Sequence, residues 1–240
     1  MARRRFFVEK PEGGRALVRG EQAHHLYHVL RVRPGQVFEI SDTRQLYLGR
    51  VVTAGASAVE FAIEEELPPG LPLPSVTLLA VVFKFDRFEW MIEKATELGV
   101  WRLVPVIAAR TETALAHAAG RRVERWRRIS FEAAQQSRRM APPEIADPLP
   151  LDRAVKEAPE GRRWMLDESP DAPLGKQLLA PAPDSTLLVG PEGGWTEPER
   201  QLARENGFVP VGLGPLILRA ETAALAALAV ILYVNGDRGS

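Results

Sequence analysis

Hydrophobic and polar positions fall into two unlike patterns, one on each side of a proline-rich break. Before the break, short alternating runs occupy Arg5–Glu9, Ala16–Arg19, Gln36–Ser41, Leu46–Val52 and Ala58–Ile63. A period of two predicts half-buried strands. One stretch with helical spacing, Glu21–Leu30, interrupts them, so this part reads as a small, mostly-β, barrel-like domain. The break is Leu67–Pro74, where four prolines in eight residues exclude a helix or a central strand. The predicted domains are residues 1–70 and 75–240.

After the break, strand-like and helix-like segments alternate, the mark of an α/β domain with a parallel sheet. Val76–Phe83 is almost continuously apolar, as expected of a strand buried on both faces. Asp86 is placed to cap a helix over Arg87–Leu98, with Gly99 just past its end. Arg102–Ile107, Arg163–Leu166, Thr186–Val189 and Phe208–Val211 read as further strands. Arg121–Arg139 reads as a long basic helix stopped by Pro142 and Pro143. Thr196 caps another helix, with Pro198 in its first turn and Asn206–Gly207 closing it. The longest apolar run, Ala223–Val234, is too short to span a bilayer and fits a buried helix. No internal repeat is present.

Composition changes this picture only at a few points. The 240 residues are 45% hydrophobic with zero formal net charge, so no global field points to nucleic acid. Charge is unevenly placed, however. Between His117 and Met140 lie seven arginines against Glu124 and Glu132, and Arg3, Arg4 and Arg5 open the chain. Such a face can bind phosphate, or it can be a solvated helix surface. The absence of cysteine excludes disulfides, thiolate metal sites and a cysteine nucleophile. With no apolar segment behind the first arginines, no secretory signal is read, and the expectation is a soluble cytoplasmic protein. Many prolines and few asparagines suggest a thermophile, although a GC-rich genome gives a similar bias.

The candidate chemistry lies between Leu187 and Val234. Two glycine turns, Gly190-Pro191-Glu192-Gly193-Gly194 and Gly212-Leu213-Gly214, each follow a predicted strand. Bare backbone at the carboxyl end of a parallel strand is where open α/β sheets bind small ligands. The first turn lacks the lysine and spacing of a P-loop, and its Glu192 suits a cationic or zwitterionic ligand better than a triphosphate. Steric need alone also explains glycine there. Arg219 and Glu221 precede the apolar helix. Glu221 suits the positive helix end, whereas Arg219 opposes that dipole unless a ligand or an RNA offsets it. His24 and His28 share a helix face, but no third zinc-type ligand stands nearby, so packed or surface histidines are the preferred reading and no metal is expected. Gln136, Ser137, Arg138 and Arg139 end the basic helix with donors and cations, either as an exposed helix end or as an RNA-contacting surface.

Four blocks occur in order: Glu93-Lys94-Ala95-Thr96-Glu97-Leu98-Gly99-Val100, Glu132 to Arg138, Val189 to Gly194, and Leu213 through Ala223. Together they resemble the bacterial small-subunit rRNA uracil-N3 methyltransferase family of the knotted SPOUT superfamily. Departures are small: Trp195 replaces another bulky apolar residue, and Ala220 replaces threonine. The resemblance implies an α/β, parallel-sheet methyltransferase domain with a trefoil knot, an exception to the usual unknotted topology. It also implies a PUA-like RNA-binding β-barrel before it. It further implies S-adenosylmethionine as cofactor, a homodimer, and a decoding-region uridine of 16S rRNA, free or in the small ribosomal subunit, as substrate. Cofactor contacts would come from Leu166, Leu188, Val189, Gly190, Pro191, Glu192, Gly193, Gly194, Leu213, Gly214, Leu218 and Thr222. Arg219 would stabilise the uracil anion, and Glu221, with Glu192 behind it, would accept the N3 proton unless water or phosphate does. RNA would meet Arg3, Arg4, Arg5, Gln136, Ser137, Arg138 and Arg139. The rival readings are a superfamily methyltransferase with another RNA target and a non-catalytic RNA-binding assembly factor.

Overall fold

The computed structural model describes residues 5–70, 73–168, 177 and 184–236. Arg3 and Arg4 lie outside the described residues, as do Leu71 and Pro72 of the proline-rich break. Two compact units emerge: Met1–Leu71 with Ala134–Pro142, and Pro72–Ala133 with Pro143–Ser240.

The first unit is built on a five-stranded mixed sheet. Its strands are β1 (Arg5–Phe7), β2 (Arg15–Arg19), β3 (Val37–Ser41), β4 (Leu46–Ala54) and β5 (Ala58–Leu67), in the order β1-β3-β4-β5-β2. Only β1 and β3 pair in parallel. The alternation seen in the sequence becomes sidedness: Ala16 and Val18 point inward to Phe6, Ile40, Val51, Val59 and Phe61. Register shifts at Leu48/Gly49 and Val51/Thr53 bend β4. β5 extends into the predicted linker because Leu67 still pairs with Leu46. The expected Glu21–Leu30 helix is instead α1 (Gly20–His24) followed by a π turn over His25–Val29. There the Leu30 amide donates to the His25 carbonyl (3.1 Å), and the Val32 amide returns to Leu26 (3.0 Å). Ala23 and Leu26 stay buried, while Val29 is turned out.

In the second unit, β6 (Ser75–Val81), β7 (Arg102–Ile107), β8 (Glu144–Ile145), β10 (Arg162–Leu166), β11 (Asp184–Val189) and β12 (Val209–Val211) follow the order β12-β10-β11-β6-β7-β8. β9 (Leu149–Pro150) also pairs with β7, and every pair is parallel. Both faces are covered, as the continuous apolar runs require. Leu78, Ala80, Leu187 and Val189 face one core, and Leu79, Val81 and Leu188 face the other.

Three helices depart from the expected reading, and a fourth was not anticipated. α2 (Phe85–Leu98) starts ahead of Asp86, so Asp86 is not its cap but lies in the first turn, with Lys84 at the N-cap. Phe85 and Phe88 hold that early turn by packing on Trp126. α3 (Thr113–Gln136) begins before Arg121, in an alanine-rich stretch with strong helix propensity. It ends before Arg139 because Arg138 turns left-handed (φ 59°). α4 (Leu151–Lys156) was not anticipated, being too short to show a period. After α5 (Glu197–Glu205), α6 (Ala220–Gly236) buries Ala224, Ala227, Leu228 and Ile231 but leaves Tyr233 80% exposed, so its apolar run is one-sided and not fully buried. Among the described residues no helix is long and apolar enough to cross a membrane.

The cap of α5 does more than end a helix. Glu199, 7% exposed, accepts from the Thr196 amide (2.9 Å) and hydroxyl (2.8 Å), and its other oxygen accepts from the Ala109 amide beyond β7 (2.8 Å). Glu199→Ala should therefore lower unfolding free energy by about 2–3 kcal/mol, combining a lost cap with a stranded amide. Urea denaturation checks this, and a loss under about 0.5 kcal/mol, the scale of an ordinary surface substitution, would refute it.

Candidate active site

β10, β11 and β12 end level with one another, since Leu166 pairs with Val211 and Met165 with Leu188. The loops leaving their carboxyl ends enclose a cleft of about 440 Å³. That lies within the usual range for small-molecule sites, about 300–1,000 Å³. Its walls are Leu166–Glu168 from β10, Val189–Glu192 with Gly194 and Trp195 from β11, and Val211–Ala220 with Ala223 from β12 and α6. Arg87 of α2 completes it.

The two glycine turns are built differently. In the first, the Trp195 ring occupies the space where a side chain at Gly190 would begin. A Cβ there would lie 2.8 Å from indole Cε2. The indole N–H donates to the Leu166 carbonyl (2.8 Å), tying the end of β10 to the β11 loop. Gly190 thus serves packing rather than direct approach of a ligand. Gly194 has φ +70°, and its amide closes the turn onto the Pro191 carbonyl (2.9 Å). The Gly193 carbonyl accepts from the Arg110 guanidinium. In the second turn Gly214 (φ +119°) has open space around its Cα.

Charge in the cleft is mixed. Arg87 donates to Glu192 (2.7 Å) and has its Nε 3.9 Å from Glu221. Glu221 is 6% exposed, and its Oε2 is buried without a hydrogen-bond partner among the described residues. Arg219 is exposed on the cleft wall, and its guanidinium makes no hydrogen bond or ion pair among the described residues. Its carbonyl accepts the Ala223 amide (2.8 Å), which holds it at the start of α6. Asp167 is committed to a two-pronged contact with Arg200 (2.7 and 3.1 Å), a bond that raises the Arg200 pKa further. Glu168 remains exposed at the rim.

Of the residues predicted to hold a cofactor, Leu166, Val189, Gly190, Pro191, Glu192, Gly194, Leu213, Gly214 and Leu218 line the cleft. Leu188, Gly193 and Thr222 do not: Leu188 faces the α4–α5 core, and Thr222 points to solvent. Glu221 sits behind the wall rather than on it. Sequence reasoning missed Arg87, Asp167 and Glu168, none of which belongs to a glycine turn. It noted Trp195 without its role.

The residues expected to meet RNA that lie among the described ones sit together in the first unit. Glu39 takes Arg5 (2.8 Å) and the Arg138 guanidinium at once, so one acid offsets two cations. Gln136 is exposed, and the Ser137 hydroxyl donates to the Ala134 carbonyl (3.5 Å). Burial pushes the Arg139 guanidinium down to about 10, and its Nε donates to the Ala141 carbonyl (3.2 Å). Along α3, Arg122 and Arg125 pair with Glu89, and Arg127 with Glu124 and Asp147. The basic run is therefore partly neutralised within the protein. His24 and His28 lie ring against ring (4.3 Å between centroids), and no cluster of three metal-ligating residues occurs among the described ones.

Residues 69–232 match the RNA methyltransferase domain family, and residues 18–64 match the RNA methyltransferase PUA domain family. The ribosomal RNA small subunit methyltransferase E of Aquifex aeolicus is 31% identical, over 95% of this chain and 98% of that one. That of Bacillus subtilis is 31% identical over 92% of each. The chain belongs to the ribosomal RNA small subunit methyltransferase E family. A crystal structure of the Neisseria gonorrhoeae member, bound to S-adenosyl methionine, superposes with a TM-score of 0.88 at 30% identity, covering 97% of this chain and 98% of that one. A Legionella pneumophila methyltransferase with bound SAM gives 0.86 at 27% identity, covering 96% and 97%.

The Gly190–Trp195 contact makes a checkable statement about this family member. Gly190→Ala should destabilise the fold by about 1–3 kcal/mol through overpacking. The penalty should shrink in a Trp195→Ala background, where the ring is gone. Denaturation of the double-mutant cycle decides it, and strict additivity would show that the two residues do not press on each other.

Proposed function

We propose that this chain is an S-adenosylmethionine-dependent methyltransferase acting on N3 of a decoding-region uridine in 16S rRNA. One observation carries the reading: an uncommitted Arg219 guanidinium on the wall of a glycine-lined cleft, with the buried, unpartnered Oε2 of Glu221 behind it. Membership of the family supports it.

The residues present suit the cofactor. Backbone of Val189–Pro191 and Leu213–Gly214 offers amides and carbonyls that adenine edges can use without long side chains. Glu168 and Glu192 supply carboxylates for a cationic sulfonium and an amino group. When bound, S-adenosylmethionine supplies an already activated methyl group. The chain's own task is then orientation and charge. Arg219 faces the uracil oxygens and stabilises the anion left when N3 loses its proton. Glu221, just behind the wall, accepts that proton by way of one intervening water, and Arg87, spanning Glu192 and Glu221, fixes the acceptor's position.

The first unit, residues 1–70 with the stretch from Ala134, contacts rRNA through its basic residues, and the second, from residue 75 on, performs transfer on the knotted path that the family resemblance implies. Two copies form the working enzyme. The exposed Leu216 and Ile217 on the cleft loop and Tyr233 on α6 offer apolar surface for that association.

The test is methyl transfer from labelled S-adenosylmethionine to small-subunit rRNA, followed by nucleoside mass spectrometry. N3-methyluridine is the expected product; methylation of another atom or base would redirect the proposal, and no transfer would end it. Arg219→Ala should lower the single-turnover rate on the order of a hundredfold, typical of losing one anion-stabilising donor. Arg219→Lys should recover little, because a point charge does not replace a planar fork. A near-parental Arg219→Ala rate at saturating cofactor and RNA would remove Arg219 from the mechanism.

A further inference from the structure

We propose that the π turn of the first unit is a stacking platform for unpaired RNA bases, a reading that rests on the proposed rRNA substrate. The turn over His25–Val29 leaves His24, His25, Tyr27 and His28 exposed in one short stretch. Their rings already cluster: His24 and His28 lie 4.3 Å apart between centroids, and Tyr27 meets His28 edge-on at 5.0 Å. Tyr27 is 42% exposed and Val29 62% exposed beside these rings, so the turn presents apolar and aromatic surface together. Ala23 and Leu26, with Leu30 packed beside them, anchor the segment in the core.

Cations flank these rings. From Gln22 to Val37 the sequence contains no acidic residue. Val32 is buried, so its neighbours Arg31 and Arg33 are both turned to solvent. Neither guanidinium is engaged in a hydrogen bond or ion pair among the described residues, unlike Arg5, Arg122, Arg125, Arg127 and Arg138. Arg31 also holds φ 52°, a left-handed position that favours glycine, at the point where the chain leaves the turn. A long cationic side chain is kept where the backbone is better served without one.

Aromatic faces beside uncommitted arginines are the chemistry of single-stranded RNA binding, in which bases stack on rings and phosphates meet guanidinium groups. π turns inside helices are also frequent at functional sites. The occupant is a single-stranded or looped segment of the rRNA substrate rather than a duplex, whose bases are already stacked on one another.

The experiment uses the full chain and a small-subunit rRNA transcript, with a single-stranded pyrimidine oligoribonucleotide and an RNA duplex as further probes. Fluorescence anisotropy across a salt series reads affinity. Tyr27→Ala with His28→Ala should weaken binding of the transcript and the single strand roughly tenfold or more, leaving duplex binding little changed. Tyr27→Phe with His28 intact should bind like the parent, since the ring is kept. Arg31→Ala with Arg33→Ala should lower the salt slope by about 0.7 for each phosphate that the pair neutralises in the parent. Cofactor affinity and melting temperature should stay at parental values in every variant, because these side chains lie outside the core and the cleft. Parental transcript and single-strand affinity in Tyr27→Ala/His28→Ala would overturn the platform alone. A parent that binds no rRNA probe would overturn both the platform and the reading it rests on.

Discussion

The cleft depends on one steric constraint: the Trp195 indole lies where a side chain on residue 190 would have to begin. Because Gly190 has no Cβ, the ring settles against the strand end and its N–H reaches the Leu166 carbonyl. That bond joins the termini of β10 and β11 beyond their ladder, and Arg200, donating to Asp167 and to the Trp195 carbonyl, ties the same two ends. The indole bond also uses a main-chain acceptor at a point where strands end and carbonyls lose their partners. The glycine turn is therefore rigid on its packed side and open on the side facing the cleft.

A second buried connection extends that rigidity. Glu199 receives the Thr196 amide and hydroxyl with one oxygen and the Ala109 amide with the other, so the start of α5 and the loop after β7 share one carboxylate. Arg110, next in that loop, then reaches the Gly193 carbonyl. Loops from β7 and β11 are thus cross-tied without any covalent bond, in a chain with no cysteine. Such preorganisation suits chemistry in which the chain mainly orients an activated group.

Charge shows the opposite economy. Most arginines that look available in the sequence are taken by nearby acids: Glu89 holds two, and Glu39 holds two. Among the described residues, Arg121 and Arg219 in the second unit and Arg31, Arg33 and Arg44 in the first have guanidinium groups in no hydrogen bond or ion pair, and of these Arg219 lines the cleft while Arg31 and Arg33 flank the π turn. An arginine without a partner is well hydrated and costs little at a surface, so it is retained most usefully where an anion arrives.

Local pattern alone determined much of this protein. Alternation marked the strands of the first sheet, continuous apolar runs marked β6 and β11 as buried on two faces, and the Thr196 cap fell where the sequence put it. These features depend on near neighbours and on a fixed side-chain period. The glycine turns were also legible, because strand followed by glycine followed by helix is a local signature. Tertiary structure decided the rest. Arg87 stands 105 residues from Glu192, and they meet because β6 lies beside β11, which places the start of α2 next to the first glycine turn. The helix bounds moved where distant packing overrode local signals, as Trp126 did for the first turn of α2. The π turn escaped notice because one extra residue per turn leaves the apolar spacing of Ala23 and Leu26 unchanged while turning Val29 outward. Which arginines remain free is likewise invisible in sequence, since an ion pair is set by strand order and helix packing rather than by spacing along the chain.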